Sequence, residues 1–422
     1  MYFMNYTKRA ISGFSWQTVL KFSTYFLSMV KIYFLARLLD PSDFGLFSLV
    51  AVALGISESI TQTGVNLTIL QSKHSVKYFL NTAWVIAIVR GFIIGSLMIL
   101  LGIGIRHTHN EPKLITITAL AALIPVIKGF INPYIVIMHK KMMFFQDTIY
   151  RFSFLAVEIL MSIAFGFWLK SAYALVWAMI SSAIFEVIIS FIFFKEKPVF
   201  EYIHSRAKMI FANTKWLSIG SLFNYLNENL DDFVIGKITS TYALGIYHNA
   251  YSLTHKANYQ FSKSVHHGTI PIFTRMTGDL PRLRKAFFKT LGAYVLIVSL
   301  VSAPFFVFPE LIVELLMGEK WLEAVPLMVP LVLAGITHGI IAVCYTLFLA
   351  KKKYKFLNLH LVFNLVLMTT LIIILGQRTG LSGSVQGILI SRLCSLPLAL
   401  AAVAYYLGIK PNKILKIFAR KK

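Results

Sequence analysis

TAWVIAIVRGFIIGSLMILLGIGI, residues 82–105, is a run of 24 residues that carries a single charge, Arg90. At 1.5 Å of helical rise per residue it covers about 36 Å, enough to cross the roughly 30 Å hydrocarbon layer of a bilayer. Lipid offers no partner to backbone N–H and C=O groups, and an α-helix satisfies them within the segment itself. The stretch therefore predicts a transmembrane helix, with Arg90 as the residue to be explained.

Runs of the same kind lie at about 15–38, 44–67, 114–138, 151–170 and 172–194, then at 216–236, 242–272, 287–308, 325–349, 357–376 and 384–408. The segment at 242–272 is the most polar of them. Together they predict an all-α, polytopic membrane protein of about twelve transmembrane helices. Composition agrees: of 422 residues 57% are apolar and 14% charged, with 35 phenylalanines, against about 45–50% and about 25% in soluble domains. The first run is interrupted by Lys21 and Lys31 and lacks a small-residue cleavage site, so the spans themselves direct insertion. Cys344 and Cys394 sit in apolar stretches and offer no disulfide or zinc spacing.

A formal charge of +24 fits nucleic acid, anionic lipid or a topology signal, and the placement of the bases decides between them. With Met1 cytoplasmic, 27 Lys and Arg fall on cytoplasmic segments and 6 on the opposite side. This is a strong positive-inside bias, so both termini are expected in the cytoplasm and nucleic acid is not needed as a partner. The remaining eight bases are Lys21, Lys31, Arg37, Arg90, Lys128, Lys256, Lys263 and Arg392.

The chain also repeats itself. Leu35-Ala36-Arg37-Leu38 with Gly45-Leu46-Phe47 is echoed, at an offset of 200 residues, by Ile235-Gly236-Lys237-Ile238 with Gly245-Ile246-Tyr247. An even number of spans per repeat gives parallel repeats about an axis along the membrane normal, two six-helix lobes with a cavity between them. The expected division is 1–197 for the first lobe, 198–215 for a cytoplasmic connection, 216–408 for the second lobe and 409–422 for a basic tail. In the connection Phe200, Ile203, Ala207, Ile210 and Phe211 recur at helical spacing. That pattern suits a helix lying in the interface, with a solvated linker as the alternative.

Polar stripes mark the candidate sites. On the first span Gln17, Lys21, Thr24, Ser28 and Lys31 share a face about 80° wide. The seventh gathers Asn224, Asn227, Glu228 and Asp231, with Asp232 beside them, and the eighth His248, Ser252, His255, Tyr259, Lys263 and His266, flanked by Lys256. Glu58, Glu158 and Glu186 are the other intramembrane acids. Each base facing lipid at a helix centre costs about 2.5–3.5 kcal/mol. Eight together would cost on the order of 20 kcal/mol, more than a fold's whole stability. Most must line a hydrated cavity or be paired, and Arg37, at a span end, can snorkel to the interface.

Lys21, Lys31, Lys256, Lys263, Arg90 and Lys128 are thus candidate anion contacts in a cavity. Pairing between helices is the competing reading for Arg90, Arg392, Glu158 and Glu186. Glu58, Glu228, Asp231 and Asp232 are candidates for Na⁺ or H⁺ coupling. The residues contain no P-loop, no metal site and no cofactor motif, and His266 and His267 are adjacent and face different ways. No catalytic residue is assigned.

The segment Lys8-Arg9-Ala10, Gly13-Phe14-Ser15-Trp16 and Leu35 through Leu46, including Asp40-Pro41-Ser42-Asp43-Phe44-Gly45, closely resembles the opening of bacterial polysaccharide flippases. These are the Wzx-type members of the multidrug/oligosaccharidyl-lipid/polysaccharide (MOP) exporter superfamily. Leu230-Asp231, Val234-Ile235-Gly236-Lys237 and Ala243 through Tyr247 resemble the start of that family's second half. The resemblance implies a two-lobed, MATE-like fold in the bacterial inner membrane. It also implies alternating-access translocation of undecaprenyl-pyrophosphate-linked oligosaccharides for O-antigen, capsule or exopolysaccharide synthesis. Lipid-linked substrate, membrane lipids, and a polymerase with other assembly proteins are the implied partners. A drug/cation antiporter of the same superfamily is one alternative; an integral-membrane polysaccharide polymerase or ligase is another.

Overall fold

The computed structural model describes residues 23–409 apart from 64, 73, 110 and 213. It is helical throughout, with no strand among the described residues. The chain divides into two compact units, Met1–Gly245 and Ile246–Lys422.

In the first unit α1 (23–38) and α2 (Pro41–Ile60) meet at a two-residue corner. The Asp-Pro-Ser-Asp sequence there has a local reason. Pro41 occupies the first helical position, where a missing N–H costs nothing. The Asp43 carboxylate accepts the Asp40 N–H at 3.3 Å and the Ala172 N–H at 2.9 Å, tying two helix starts together. Next come α3 (Val65–Gln71), α4 (Val76–His109), α5 (Lys113–Ala121), α6 (Leu123–Gly129) and α7 (Val136–Lys140). α8 (Phe144–Leu169), α9 (Tyr173–Phe193), α10 (His204–Phe211) and α11 (Thr214–Ile238) complete this unit, and α12 (Thr241–Leu253) runs across its boundary.

The expected uninterrupted span at 114–138 is not one helix: α5–α6 and the stretch from Pro133 through α7 are bent by 66°. Pro133 lacks the N–H a continuing helix would need, and Asn132 holds the break. Its backbone N–H donates to Ser190 Oγ, its Nδ2 to the Glu196 carbonyl, and its Oδ1 accepts from Tyr134 N. On α10, Ala207 and Ile210 are buried against Ile69, Phe79, Ala83 and Val136, while Phe200 and Phe211 stay exposed. The connection therefore docks one apolar edge on its own unit and leaves the other outward.

The duplicated sequence has a structural counterpart. α1 ends at 38 and α2 starts at Pro41; α11 ends at Ile238 and α12 starts at Thr241. A Cβ on Gly45 would run into the Thr241 carbonyl oxygen, and one on Gly245 into the Pro41 carbonyl oxygen. The exchange is reciprocal at an offset of 200 residues.

The second unit holds α13 (His255–Arg275), α14 (Leu280–Val307), α15 (Pro309–Met317), α16 (Val325–Ala350) and α17 (Tyr354–Tyr406). At 53 residues α17 is about 80 Å of helix if straight, far longer than a bilayer. Gly380, at φ +66°, and Thr379 break it into two arms. Cβ atoms at Gly383 and Gly387 would strike the Leu375 and Leu371 carbonyls, so the arms fold back on each other at backbone contact. Among the described residues seven helices are long and apolar enough to cross a membrane, or eight if the bent pair is one span.

Candidate functional site

Two of the predicted anion contacts, Lys31 and Lys128, lie near one acid in the first unit, Glu158. Lys31, on α1, donates from Nζ to Glu158 Oε1 on α8 at 2.7 Å, with side chains 19% and 25% exposed. Lys128 on α6 lies within electrostatic reach of Glu158 and of Glu186 on α9. The stripe on α1 has no acid of its own; its neutralising partner comes from a helix 127 residues later. Lys31 is therefore held in a defined place, with a carboxylate that a stronger anion would have to displace.

Arg90 sits elsewhere. Its Nε donates to the Thr61 carbonyl at 2.8 Å and its Nη2 to the Glu58 carbonyl at 3.1 Å. The last carbonyls of a helix have no partner within it, and a cation there also meets the negative end of the helix dipole. Arg90 thus closes α2 from α4. Lys21 lies outside the described residues, as does the side chain of Lys256.

The four acids named for coupling do converge. Glu58, exposed on the last turn of α2, and Glu228, Asp231 and Asp232 on α11 all act electrostatically on the Tyr225 phenol. Asp231 and Asp232 are buried. The Tyr225 hydroxyl donates to the Ala51 carbonyl at 3.1 Å, and its ring occupies the space Gly55 leaves open on α2. Sequence reading passed over Tyr225, because one aromatic in an apolar helix carries no signal until the glycine opposite it is known. Chemically the group is a carboxylate cluster around a hydroxyl, suited to holding a cation or a proton.

In the second unit polar side chains of α13, α16 and α17 meet. The rings of His255 on α13 and His338 on α16 lie 5.2 Å apart, and Lys263 acts on His338. His360 bonds Tyr345 Oη at 2.7 Å and the Ser395 carbonyl at 2.9 Å. Arg392, only 4% exposed, is within electrostatic reach of His255, His338, His360 and Tyr345. No group of three His, Cys, Asp or Glu among the described residues is placed to hold a metal ion.

The model of a family described as polysaccharide biosynthesis protein matches residues 34–326. The lipopolysaccharide biosynthesis protein WzxC of Escherichia coli (strain K12) is 24% identical over 416 residues, covering 97% of this chain and 82% of that protein. The teichuronic acid biosynthesis protein TuaB of Bacillus subtilis (strain 168) is 21% identical, covering 82% of this chain and 72% of its own. Among solved structures, an inward-facing MATE multidrug transporter of the MOP superfamily superposes with a TM-score of 0.63 at 12% identity, over 92% of this chain and 94% of that one. The lipid II flippase MurJ, in an inward closed conformation, gives 0.63 at 15% identity, over 95% and 91%. These structural likenesses establish the fold.

Proposed function

The chain belongs to the polysaccharide biosynthesis protein family, and from that premise we propose that it is a flippase of the MOP exporter superfamily for lipid-linked oligosaccharides. The transported species is an undecaprenyl-pyrophosphate-linked repeat unit, moved from the cytoplasmic to the periplasmic leaflet of the inner membrane by alternating access. The protein acts as a transporter and not as an enzyme, and it hands its product to a polymerase.

The observation that carries this reading is the pair of bases, Lys31 and Lys128, held on α1 and α6 beside Glu158. A pyrophosphate brings more charge than one carboxylate. At an effective dielectric of 20, a unit pair 4 Å apart gains about 4 kcal/mol, against about 1 in water. An incoming pyrophosphate can therefore compete for Lys31, and release of Glu158 links substrate arrival to helix movement. The acids around Tyr225 supply the second half of the cycle, a Na⁺ or H⁺ site whose occupancy drives the return.

The same acid cluster is what favours a drug/cation antiporter as the competing reading. Proteoliposomes loaded with undecaprenyl-pyrophosphate oligosaccharide separate the two. A lectin or periodate assay should show glycan reaching the far leaflet only when the protein is present. Efflux of an organic cation with no movement of the glycolipid would reject the flippase reading.

A further inference from the structure

Arg392 lies on the second arm of α17, and its burial is hard to reconcile with how little it touches. It is 4% exposed, its Nη2 reaches Met368 Sδ at 3.8 Å, and its Nε–H has no hydrogen-bond partner among the described residues. A thioether is a weak acceptor. The carboxylates of this unit are Asp279, Glu310, Glu314, Glu319 and Glu323, which belong to the cap of α14, to α15 and to the turn before α16. From residue 324 to 422 the sequence holds no acid. Taking a guanidinium out of water without a counter-charge costs several kcal/mol, and an intramembrane charge retained at that cost marks a function.

The neighbours are donors as well. Asn364 is 1% exposed and one helical turn before Met368 on the opposing arm. Its Oδ1 accepts the Ser395 hydroxyl at 3.0 Å, which fixes the amide and leaves Nδ2 without a partner among the described residues. Asn258 on α13 repeats the arrangement: Oδ1 takes the Ser302 hydroxyl at 3.1 Å and Nδ2 has no partner among the described residues. His255, 0% exposed, bonds through neither ring nitrogen among the described residues, and Arg392 acts on it. Gly335 on α16 lets these side chains close in, since a Cβ there would stand 2.9 Å from His255 Cα and 3.3 Å from Asn258 Nδ2. Arg392 and three other side chains, each more than nine-tenths buried, thus keep unused nitrogen atoms in this unit, with His255 within electrostatic reach of Arg392.

We propose that the second unit holds a binding site for a compact, acceptor-only anion, with Arg392 as its charged ligand, the Asn364 amide as its nearest neutral donor, and His255 and Asn258 completing the shell. The ligand is compact because the lining is buried, and acceptor-only because Arg392 and both amides offer N–H groups alone. A halide from solution meets that description, and a phosphate group does so through its unprotonated oxygens. The site is separate from Lys31 and Lys128, which lie in the other unit, and does not depend on the identity of the transported lipid.

The test uses the full-length purified protein and follows Tm as sodium gluconate is replaced, at constant ionic strength, by sodium chloride in one arm and by sodium phosphate in the other. A ligand that binds the folded form alone raises Tm along a saturation curve. We expect a rise of about 2 °C or more in at least one arm, and the arm that responds names the source. The rise should vanish in Arg392→Gln and survive with a weaker midpoint in Arg392→Lys. Asn364→Ala, which keeps the charge, should shift the midpoint about tenfold and serves if Arg392→Gln does not insert. A flat Tm in both arms for the unsubstituted protein overturns the site. So does an equal rise in Arg392→Gln, or in Asn364→Ala where the glutamine variant cannot be made, since ions would then act without these donors.

Discussion

Lys31 and Glu158 are each about a fifth to a quarter exposed, a setting between a surface pair worth under about 1 kcal/mol and a fully buried one whose loss costs about 3–5. Lys31→Gln should therefore destabilise by about 1–3 kcal/mol, visible as a smaller membrane-inserted fraction, because the acid is left alone. Adding Glu158→Gln should restore insertion. If Lys31 also meets the substrate, glycan export per inserted molecule stays low in the double variant; a purely structural pair returns export together with insertion. Measuring both quantities in the single and double variants decides the role. The stripe that singled out Lys31 was legible from helical period alone. Its partner was not, since period describes one helix and Glu158 sits on another. The same limit applies to Arg90: its charge and depth are plain in the sequence, but that it closes α2 through the Thr61 and Glu58 carbonyls depends on which helix end packs beside it.

Among the elements, the close crossing of α2 and the start of α12 rests on two glycines that cannot be replaced without moving backbone. Gly45→Ala or Gly245→Ala pushes a methyl into a carbonyl oxygen across the contact, and overpacking of this kind costs about 1–3 kcal/mol or more. Gly292, inside α14, has nothing within 4 Å of a built Cβ. There alanine removes chain entropy at no steric cost and should stabilise by about 0.4–1 kcal/mol. Thermal unfolding in one detergent should show Tm falling for the first two variants and rising slightly for the third; equal behaviour would remove the crossing from the account. The repeat itself was readable, because Gly-aliphatic-aromatic recurs 200 residues on, and so was the helical nature of each apolar run. The break at Asn132–Pro133 escaped notice, since the apolar run continues through it and hydropathy does not register a missing N–H. The two arms of α17 were separable for the opposite reason: Arg378, Thr379 and Gly380 interrupt the run.

For the molecule as a whole, the excess of bases on one set of loops makes an orientation claim that covalent labelling can check. Connections 194–203 and 351–353 carry Lys195, Lys197 and Lys351–Lys353, whereas the stretch before α16 carries Glu310, Glu314, Glu319 and Glu323 with Lys320. Cytoplasmic loops gather Lys and Arg, so we expect the first two on the cytoplasmic side and the third across the membrane. Within the second unit the geometry requires part of this. α14 runs from Leu280 to Val307 and α16 from Val325 to Ala350, each long enough for one crossing, so the 309–324 stretch and Lys351–Lys353 lie at opposite ends of α16. The native cysteines allow a clean background: Cys344 is buried and Cys394 exposed, and Cys394→Ser removes the exposed one. Single cysteines at Lys197, Lys352 and Lys320 are then treated in intact cells with a membrane-impermeant maleimide. Lys320→Cys should label, while Lys197→Cys and Lys352→Cys should label only after the membrane is opened. Labelling of Lys320→Cys and Lys352→Cys from the same side would contradict the crossing of α16. Labelling of Lys197→Cys and Lys352→Cys in intact cells with Lys320→Cys protected would keep the helices and overturn the orientation, and with it the direction of transport proposed for the lipid-linked glycan.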